Sequence, residues 1–335
     1  MRNNIQLPER VDLARCPTPF QLLTRASKRW GAGRRIWVKR DDLTGTTLTG
    51  NKVRKLEFFA AYAQARGIDT LITCGGLQSN HARATAAVCA QLGWHCELVL
   101  RGKTAEPYGN TLLDKLFGAD IQVVEAPHYQ RHLVELLEQT AERHRLLGRN
   151  PLIIPTGGSN GIGIWGYIAA ARELLTDFSN QGITDAAVVT ATGSGGTQAG
   201  LTLGMDMASA NIDVIGIAVS DDSTWFNKKV IDDIEEARKQ WPGLPALRGK
   251  PITIDDFVGP GYGRAGTEIY ALIAELAALE GVVLDPVYTG KAFYGMLELI
   301  KNNQIGAHQD IVFVHTGGIF GLFPHHQQLA GLLEF

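Results

Sequence analysis

Cysteine is scarce in this 335-residue chain: Cys16, Cys74, Cys89 and Cys96 are the whole set, and no two form a C-x-x-C pair. That excludes a disulfide framework and a zinc-ribbon motif, and it predicts a reduced compartment. Neither sign of charge is in excess. The 32 basic and 34 acidic residues leave a net charge of -2, so nothing favours nucleic acid as a partner, and no like-charge block forms a tail. No apolar run reaches membrane-spanning length. The opening MRNNIQLPERVDL lacks the apolar centre of a signal peptide, so a cytoplasmic protein is expected. Internal repeats and low-complexity tracts are missing too. What remains is an ordinary globular composition, 45% hydrophobic, long enough for one large domain or two closely associated ones.

Short β-rich runs alternate with longer helical patterns. DTLITC (69–74) reads as a strand, followed by a loop and a helix near 80–92. HCELVL (95–100) precedes a helix through TLLDKLFG, and IQVVE precedes the long HLVELLEQTAERHR pattern. LIIP, AAVVTA (186–191), IDVIGIAVS (212–220) and DIVFVH (310–315) are further strand candidates. Their continuous Val and Ile content suits strands covered on both faces. The alternation predicts an α/β fold with parallel sheets, in which ligands bind at the carboxyl ends of the strands.

Three loops after such strands stand out. The first, TGSGGTQAG (192–200), strips side chains at Gly193, Gly195 and Gly196, so backbone N–H groups can approach an anion at a helix start. It lacks the G-K-[ST] of a P-loop, and Gln198 replaces the third glycine of G-x-G-x-x-G. A nucleotide reading survives through Asp221 and Asp222, which could hold a ribose. The second loop, CGGLQSNHAR (74–83), places Gln78, Ser79, Asn80 and His81 together at an expected helix start. A cap needs one such residue, and this loop offers several. No metal set accompanies His81 and Cys74.

The third is TGTTLTGNKVRKLEF (44–58). With Asn51 as N-cap, Lys52 and Lys55 lie three apart on one side of a helix, and Arg54 points elsewhere, while Val53, Leu56 and Ala60 form a packing stripe. Cations at a helix start are unfavourable. A solvated basic face is one reading. The other is a shared anion or covalent partner for the two lysines. Towards the C-terminus come GPGYG (259–263), DPVYTGK (285–291) and HTGG (315–318).

A lysine at a helix start, a glycine-rich anion loop and a polar crevice suggest pyridoxal 5'-phosphate, whose aldehyde needs an amine and whose phosphate needs a cradle. The sequence resembles the pyridoxal-phosphate family containing D-cysteine desulfhydrase and 1-aminocyclopropane-1-carboxylate deaminase. The resemblance runs from PTPF and KRDD through GNKVRKLEF, LQSNH, GGSN, TGSGGTQAG and PGYG to DPVYTGK and HTGG. It implies a tryptophan-synthase-β-like fold of type II, with two open, twisted, mostly parallel sheets flanked by helices. It further implies a large cofactor-binding domain of residues 1–65 plus 165–335, a small domain of residues 66–164, the active site between them, and a homodimer.

The resemblance also implies roles. Lys52 matches the Schiff-base lysine and then the general base. Lys55, Asn80, Thr316 and the loop Thr192, Gly193, Ser194, Gly195, Gly196 and Thr197 match cofactor contacts. Ser79 matches the active-site serine, and Tyr262 and Tyr288 match two tyrosines facing the substrate. Gln78, Ser79, Asn80, His81, Ser159 and Thr289 complete the expected substrate wall.

Thr289 and Thr316 stand where the deaminase pattern has Glu and Leu, and they follow the desulfhydrase pattern. A hydroxyl cannot stabilise a protonated pyridine as a carboxylate does, so the weaker electron sink suits expulsion of a thiolate. The expected substrate is therefore a small amino acid. D-cysteine comes first, yielding pyruvate, ammonia and hydrogen sulfide, with L-cysteate sulfo-lyase or the deaminase as alternatives. A nicotinamide-dependent oxidoreductase is the rival of another class, and it leaves Lys52 and Lys55 without a purpose. Gly76-Leu77, Trp165, Ile319-Phe320 and residues 221–227 depart from the desulfhydrase pattern, and Trp165 or Phe320 would reshape the pocket if either lined it.

Overall fold

The computed structural model describes residues 5–104 and 106–332. These form ten strands: β1 (Phe20–Leu22), β2 (Arg35–Lys39), β3 (Thr70–Gly76), β4 (His95–Arg101), β5 (Asp120–Val124), β6 (Pro151–Ile153), β7 (Asp185–Thr192), β8 (Asn211–Ala218), β9 (Ile252–Ile254) and β10 (Asp310–Val314). The helices alternate with them. They are α1 (Thr24–Trp30), α2 (Asn51–Gln64), α3 (Asn80–Leu92), α4 (Gly109–Leu116), α5 (Ala126–Leu146), α6 (Trp165–Gln181), α7 (Gly196–Met207), α8 (Ser223–Gln240), α9 (Thr267–Glu280), α10 (Thr289–Lys301), α11 (Ile319–Leu322) and α12 (His326–Ala330).

Two open sheets result. The larger runs β1-β2-β10-β7-β8-β9 and the smaller β5-β4-β3-β6. Every pairing is parallel except β1 with β2. The Val- and Ile-rich runs are buried on both faces, as parallel strands require. Ala187, Val189, Ile215, Ile217 and Phe313 pack with α9 and α10 on one face of the large sheet. Val188, Val214 and Val312 pack with α6 and α7 on the other. In the small sheet Leu71, Leu98 and Leu100 join α2 and α3 in one cluster, while Ile72, Cys74 and Val99 face Tyr129 and Leu137 of α5.

Neither Trp165 nor Phe320 lies where the strands of both sheets end. Trp165 is fully buried at the start of α6, edge-on to Trp241 with ring centroids 5.4 Å apart. Phe320 faces a separate surface cleft beside Leu43 and Thr47, with the Arg83 guanidinium 5.2 Å above its ring. Among the described residues no helix is long and apolar enough to cross a membrane.

Candidate active site

A cleft of about 400 Å³ opens where the carboxyl ends of both sheets meet. The small sheet contributes Gly75, Gly76, Ser79, Asn80, His81 and Arg101, and the large sheet contributes Thr192, Gly193, Ser194, Ser220 and Thr316. Lys52 enters from the first turn of α2.

The start of α2 is set by Gly50 rather than by Asn51. Gly50 caps the helix at φ 103°, and a Cβ there would meet the Thr316 carbonyl oxygen at 2.7 Å. Only glycine satisfies both conditions. Asn51, expected as the cap, is the first helical residue instead. Its Nδ2 donates to Thr197 Oγ1 at 2.9 Å and its backbone N–H to the Thr316 carbonyl at 3.1 Å, tying α2 to α7 and to the end of β10.

The three basic residues of this helix occupy three environments. Burial brings the Lys52 amine down to about 8, and no ion pair or hydrogen bond holds it among the described residues. Lys55 Nζ donates to the Gly157 carbonyl and to Ser159 Oγ, both at 3.1 Å. Burial and then the charge of Lys52 hold it well below the ordinary lysine range. Arg54 turns away into a buried ion-pair network with Asp41 and Glu173, so it is structural and not a surface ion.

Ser159 Oγ lies 2.8 Å from Ser194 Oγ and accepts from the Gly196 N–H at 3.1 Å. Gly195 precedes α7 at φ 87°, which turns the first N–H groups of the helix towards Ser159 and Lys55. Thr192 Oγ1 is buried without a partner. A half-buried unpaired amine, a buried lysine behind it, an unpartnered hydroxyl and a glycine-lined helix start fit pyridoxal phosphate, with its aldehyde at Lys52 and its phosphate near Lys55 and α7.

Across the cleft Ser79 caps α3, accepting from the Ala82 N–H at 3.1 Å. Asn80 Oδ1 accepts from Asn110 Nδ2 at 3.0 Å. Thr73 Oγ1 gives its proton to the Ile154 carbonyl, so at 2.9 Å it must accept from His81 Nε2. His81 Nδ1 is then a bare, unpartnered acceptor. Burial, then the charges of Lys52 and Lys55, hold this ring well below its usual range, so it is neutral. Tyr262 and Tyr288 share a hydroxyl–hydroxyl hydrogen bond on the same cleft. Burial, then the neighbouring Tyr262, raise Tyr288 well above the usual phenol range, so it stays protonated.

Three expected wall residues, Thr289, Gln78 and Ser159, do not line the cleft. Thr289 is fully buried, and its hydroxyl donates to Asp285 Oδ1 at 2.7 Å. Asp285 also accepts from the Val287, Tyr288 and Thr289 N–H groups, so it caps α10 and absorbs Thr289 into that cap. Gln78 is turned to α4, donating to the Tyr108 carbonyl and accepting from the Asn110 N–H. Lys55, Ser159 and Gly196 form the floor behind the wall.

The sequence reading missed Arg101, Gly157 and Tyr129, all of which line the cleft. Arg101 ends β4, one residue beyond the apolar run HCELVL. The rule that ligands gather at carboxyl ends of strands points to that position.

Comparison with known proteins agrees with this geometry. Residues 11–317 match the family described as pyridoxal-phosphate dependent enzyme. A Pyrococcus abyssi protein with the provisional name 1-aminocyclopropane-1-carboxylate deaminase is 41% identical over 97% of this chain and 96% of its own length. A D-cysteine desulfhydrase of Serratia proteamaculans is 40% identical over 96% of this chain and 97% of its own. The crystal structure of an ACC deaminase homologue superposes with a TM-score of 0.88 at 38% identity, covering 97% of this chain and 96% of that one. The nicotinamide reading falls with this match, and the ribose role of Asp221 and Asp222 falls with it. The chain belongs to the pyridoxal-phosphate-dependent enzymes, among relatives named for 1-aminocyclopropane-1-carboxylate deaminase and D-cysteine desulfhydrase.

Proposed function

We propose that the enzyme catalyses β-elimination on a small amino acid, with D-cysteine converted, with one water, to pyruvate, ammonia and hydrogen sulfide. The observation carrying this reading is the scarcity of carboxylates on the cleft wall. Among the described residues Asp221 is the sole carboxylate lining it, and Asp221 follows β8, two strands away from Thr316 at the end of β10. Asp285, which sits beside Gly318 just beyond that end, is saturated by four donors. A site without a free carboxylate beside Thr316 favours departure of a good leaving group over ring opening.

The chain's own groups then have separate tasks. Lys55, Ser159, Ser194, Thr192 and the N–H groups at the start of α7 hold the phosphate. Ser79 and Asn80, at the start of α3, hold the substrate carboxylate. The bound cofactor supplies the electron sink that makes the α-proton acidic. Lys52, half-buried and near 8, is neutral often enough to take that proton. Tyr288, kept protonated and oriented by Tyr262, delivers a proton to the departing sulfur.

We also read residues 66–164 as a small domain that closes on substrate and excludes water. The strands of the smaller sheet all fall within that range, between Thr70 and Ile153, and this supports the division. Assembly as a homodimer and residence in the cytoplasm rest on family resemblance and composition.

The test is a product panel on the purified holoenzyme. It covers sulfide from both cysteine enantiomers, sulfite from both cysteate enantiomers and 2-oxobutyrate from 1-aminocyclopropane-1-carboxylate, with pyruvate measured alongside. Sulfide and pyruvate from D-cysteine are expected. Formation of 2-oxobutyrate with no pyruvate from any sulfur substrate would overturn the reading in favour of the deaminase.

A further inference from the structure

Arg101 has no counterpart in the tasks assigned above. Its backbone is fixed: the carbonyl accepts from the Leu77 N–H at 3.3 Å, and the next residue donates to Val124 across the edge of the sheet. Its side chain is held differently. The guanidinium lies 5.8 Å from the centroid of Tyr129 and 5.7 Å from that of Tyr262, between two aromatic rings. No carboxylate of the described residues comes within 4.0 Å of it, although Asp221 lines the same cleft. A half-buried arginine facing a cleft with its donors uncommitted is unusual, because an uncompensated charge there costs stability. Cation–π contact with the two rings uses none of its five N–H donors.

Strand order locates this cation relative to the rest of the site. In the small sheet β3 lies between β6 and β4. The turn after β6 presents the Gly157 carbonyl to Lys55, at the phosphate end. The loop after β3 carries Ser79 and Asn80. Arg101 opposes Gly76 on the far side, one strand spacing of about 4.8 Å further out. The order across the cleft is therefore phosphate cradle, reacting amine and carboxylate holder, then Arg101. Beside Arg101 stands the Tyr262–Tyr288 hydroxyl pair, at the place assigned to the leaving group, and the charge of Arg101 counteracts the effect of burial on both phenols.

We propose that Arg101, in cation–π contact with Tyr129 and Tyr262, forms an anion subsite for the β-substituent, so that the preferred substrates are β-substituted alanines whose substituent is itself an anion. The proposal rests on the β-elimination reading. A sulfonate matches the arginine fork with two of its oxygens, a carboxylate does so with both, and a thiolate takes a single contact. For a sulfonate the balance is cysteate plus water giving pyruvate, ammonia and sulfite. The Cα–H and Cβ–S bonds break, the sulfur keeps the bonding pair, and no oxidant is required.

Two measurements on wild type, Arg101→Gln and Arg101→Lys test this, each variant being checked for retained cofactor absorbance. In the first, kcat/KM is compared for cysteate, cysteine and β-chloro-D-alanine, whose substituent is neutral. Arg101→Gln should lower the cysteate to β-chloroalanine ratio at least thirtyfold and the cysteine to β-chloroalanine ratio by less. Arg101→Lys should restore part of the loss. In the second, calorimetry compares 3-sulfopropionate, succinate and propionate, none of which has an amine to react. Wild type should bind the two dianions at least tenfold more tightly than propionate, and Arg101→Gln should erase the gap. Sulfonate and carboxylate are separated by which dianion binds better.

Unchanged ratios in both measurements, with pyruvate still formed, would overturn the subsite and leave β-elimination standing. No pyruvate from any β-substituted substrate would overturn β-elimination, and the calorimetry would still decide whether Arg101 selects an anion.

Discussion

Replacing Arg54 with methionine tests the assignment of the third basic residue on α2. The guanidinium donates from Nε to Asp41 Oδ2 at 2.9 Å, from Nη2 to Asp41 Oδ1 at 2.7 Å and from Nη1 to Glu173 Oε2 at 2.9 Å. Lys39 Nζ reaches Glu173 and Asp177, both at 2.6 Å, so two cations serve three carboxylates. Removing Arg54 leaves one cation for three. Asp41, whose side chain is 1% exposed, then keeps only the Thr18 and Tyr167 hydroxyls as side-chain partners.

The magnitude follows from Glu173. Burial raises its carboxyl, but the Arg54 hydrogen bond and charge, with Lys39, outweigh burial and bring it from 4.5 down to about 2. A shift of that size corresponds to about 3 kcal/mol, and Lys39's share together with screening of the exposed part of the side chain leaves about 2 for Arg54. The buried Asp41 left behind restores the loss to about 3 kcal/mol, the lower end for breaking a buried pair. At roughly 2 °C per kcal/mol for a chain of this length, Tm should fall by about 6 °C.

The sign with pH is fixed as well. Glu173 is depressed in the folded state, so its contribution is present above 4.5 and is lost as pH falls towards 2. Urea unfolding of holoenzyme at pH 7 and pH 3 should show the deficit of Arg54→Met shrinking at the lower pH. A deficit under 1 kcal/mol at pH 7, or one that grows on acidification, would refute the network argument.

The two lysines of the same helix carry the remaining predictions. Lys52 at about 8 is about one-tenth neutral at pH 7, some 300-fold more than an ordinary lysine at 10.5. The rate of pyridoxal phosphate attachment to apoenzyme, followed by visible absorbance, should therefore rise tenfold per pH unit below 8 and level off above it. A rise continuing to pH 10 would contradict the buried-amine account. Lys55→Gln removes a charge-assisted contact to phosphate, worth about 1.5–3 kcal/mol, so the cofactor Kd should rise about tenfold to a hundredfold. Phosphate-free pyridoxal should be affected far less. Equal losses for both forms would move Lys55 out of the phosphate cradle.

Much of the fold was legible because parallel strands announce themselves. β3, β4, β7, β8 and β10 are the apolar runs that the sequence marks as strands. β2 was not legible. Its sequence RIWVK begins and ends in charge, and Lys39 is buried only because Glu173 and Asp177, more than a hundred residues away, pair with it. Arg54 has the same character. Local spacing showed that it leaves the lysine face, but its partners lie 13 and 119 residues along the chain. Thr289 failed for a local reason instead: the hydroxyl of a residue entering a helix belongs to the cap, and Asp285 claimed it. Arg101 escaped by one residue, because a strand read from its apolar content stops at Leu100, whereas the ladder continues to pair Arg101 with Gly76 and Val124.

Three cations in the first turn of α2 would oppose the helix dipole if all three were charged and free. Their environments remove the conflict in different ways. Arg54 keeps its charge and is matched by two carboxylates. Lys52 and Lys55 give up part of theirs: burial lowers both, and Lys55 also lies beside the charge of Lys52. Lowering a lysine by burial costs folding energy, and this cost is recovered when an anion arrives. A phosphate dianion at the start of α7 would favour the charged form of Lys55, and an imine at Lys52 would remove the competing neighbour. The basic cluster therefore couples cofactor binding to stability.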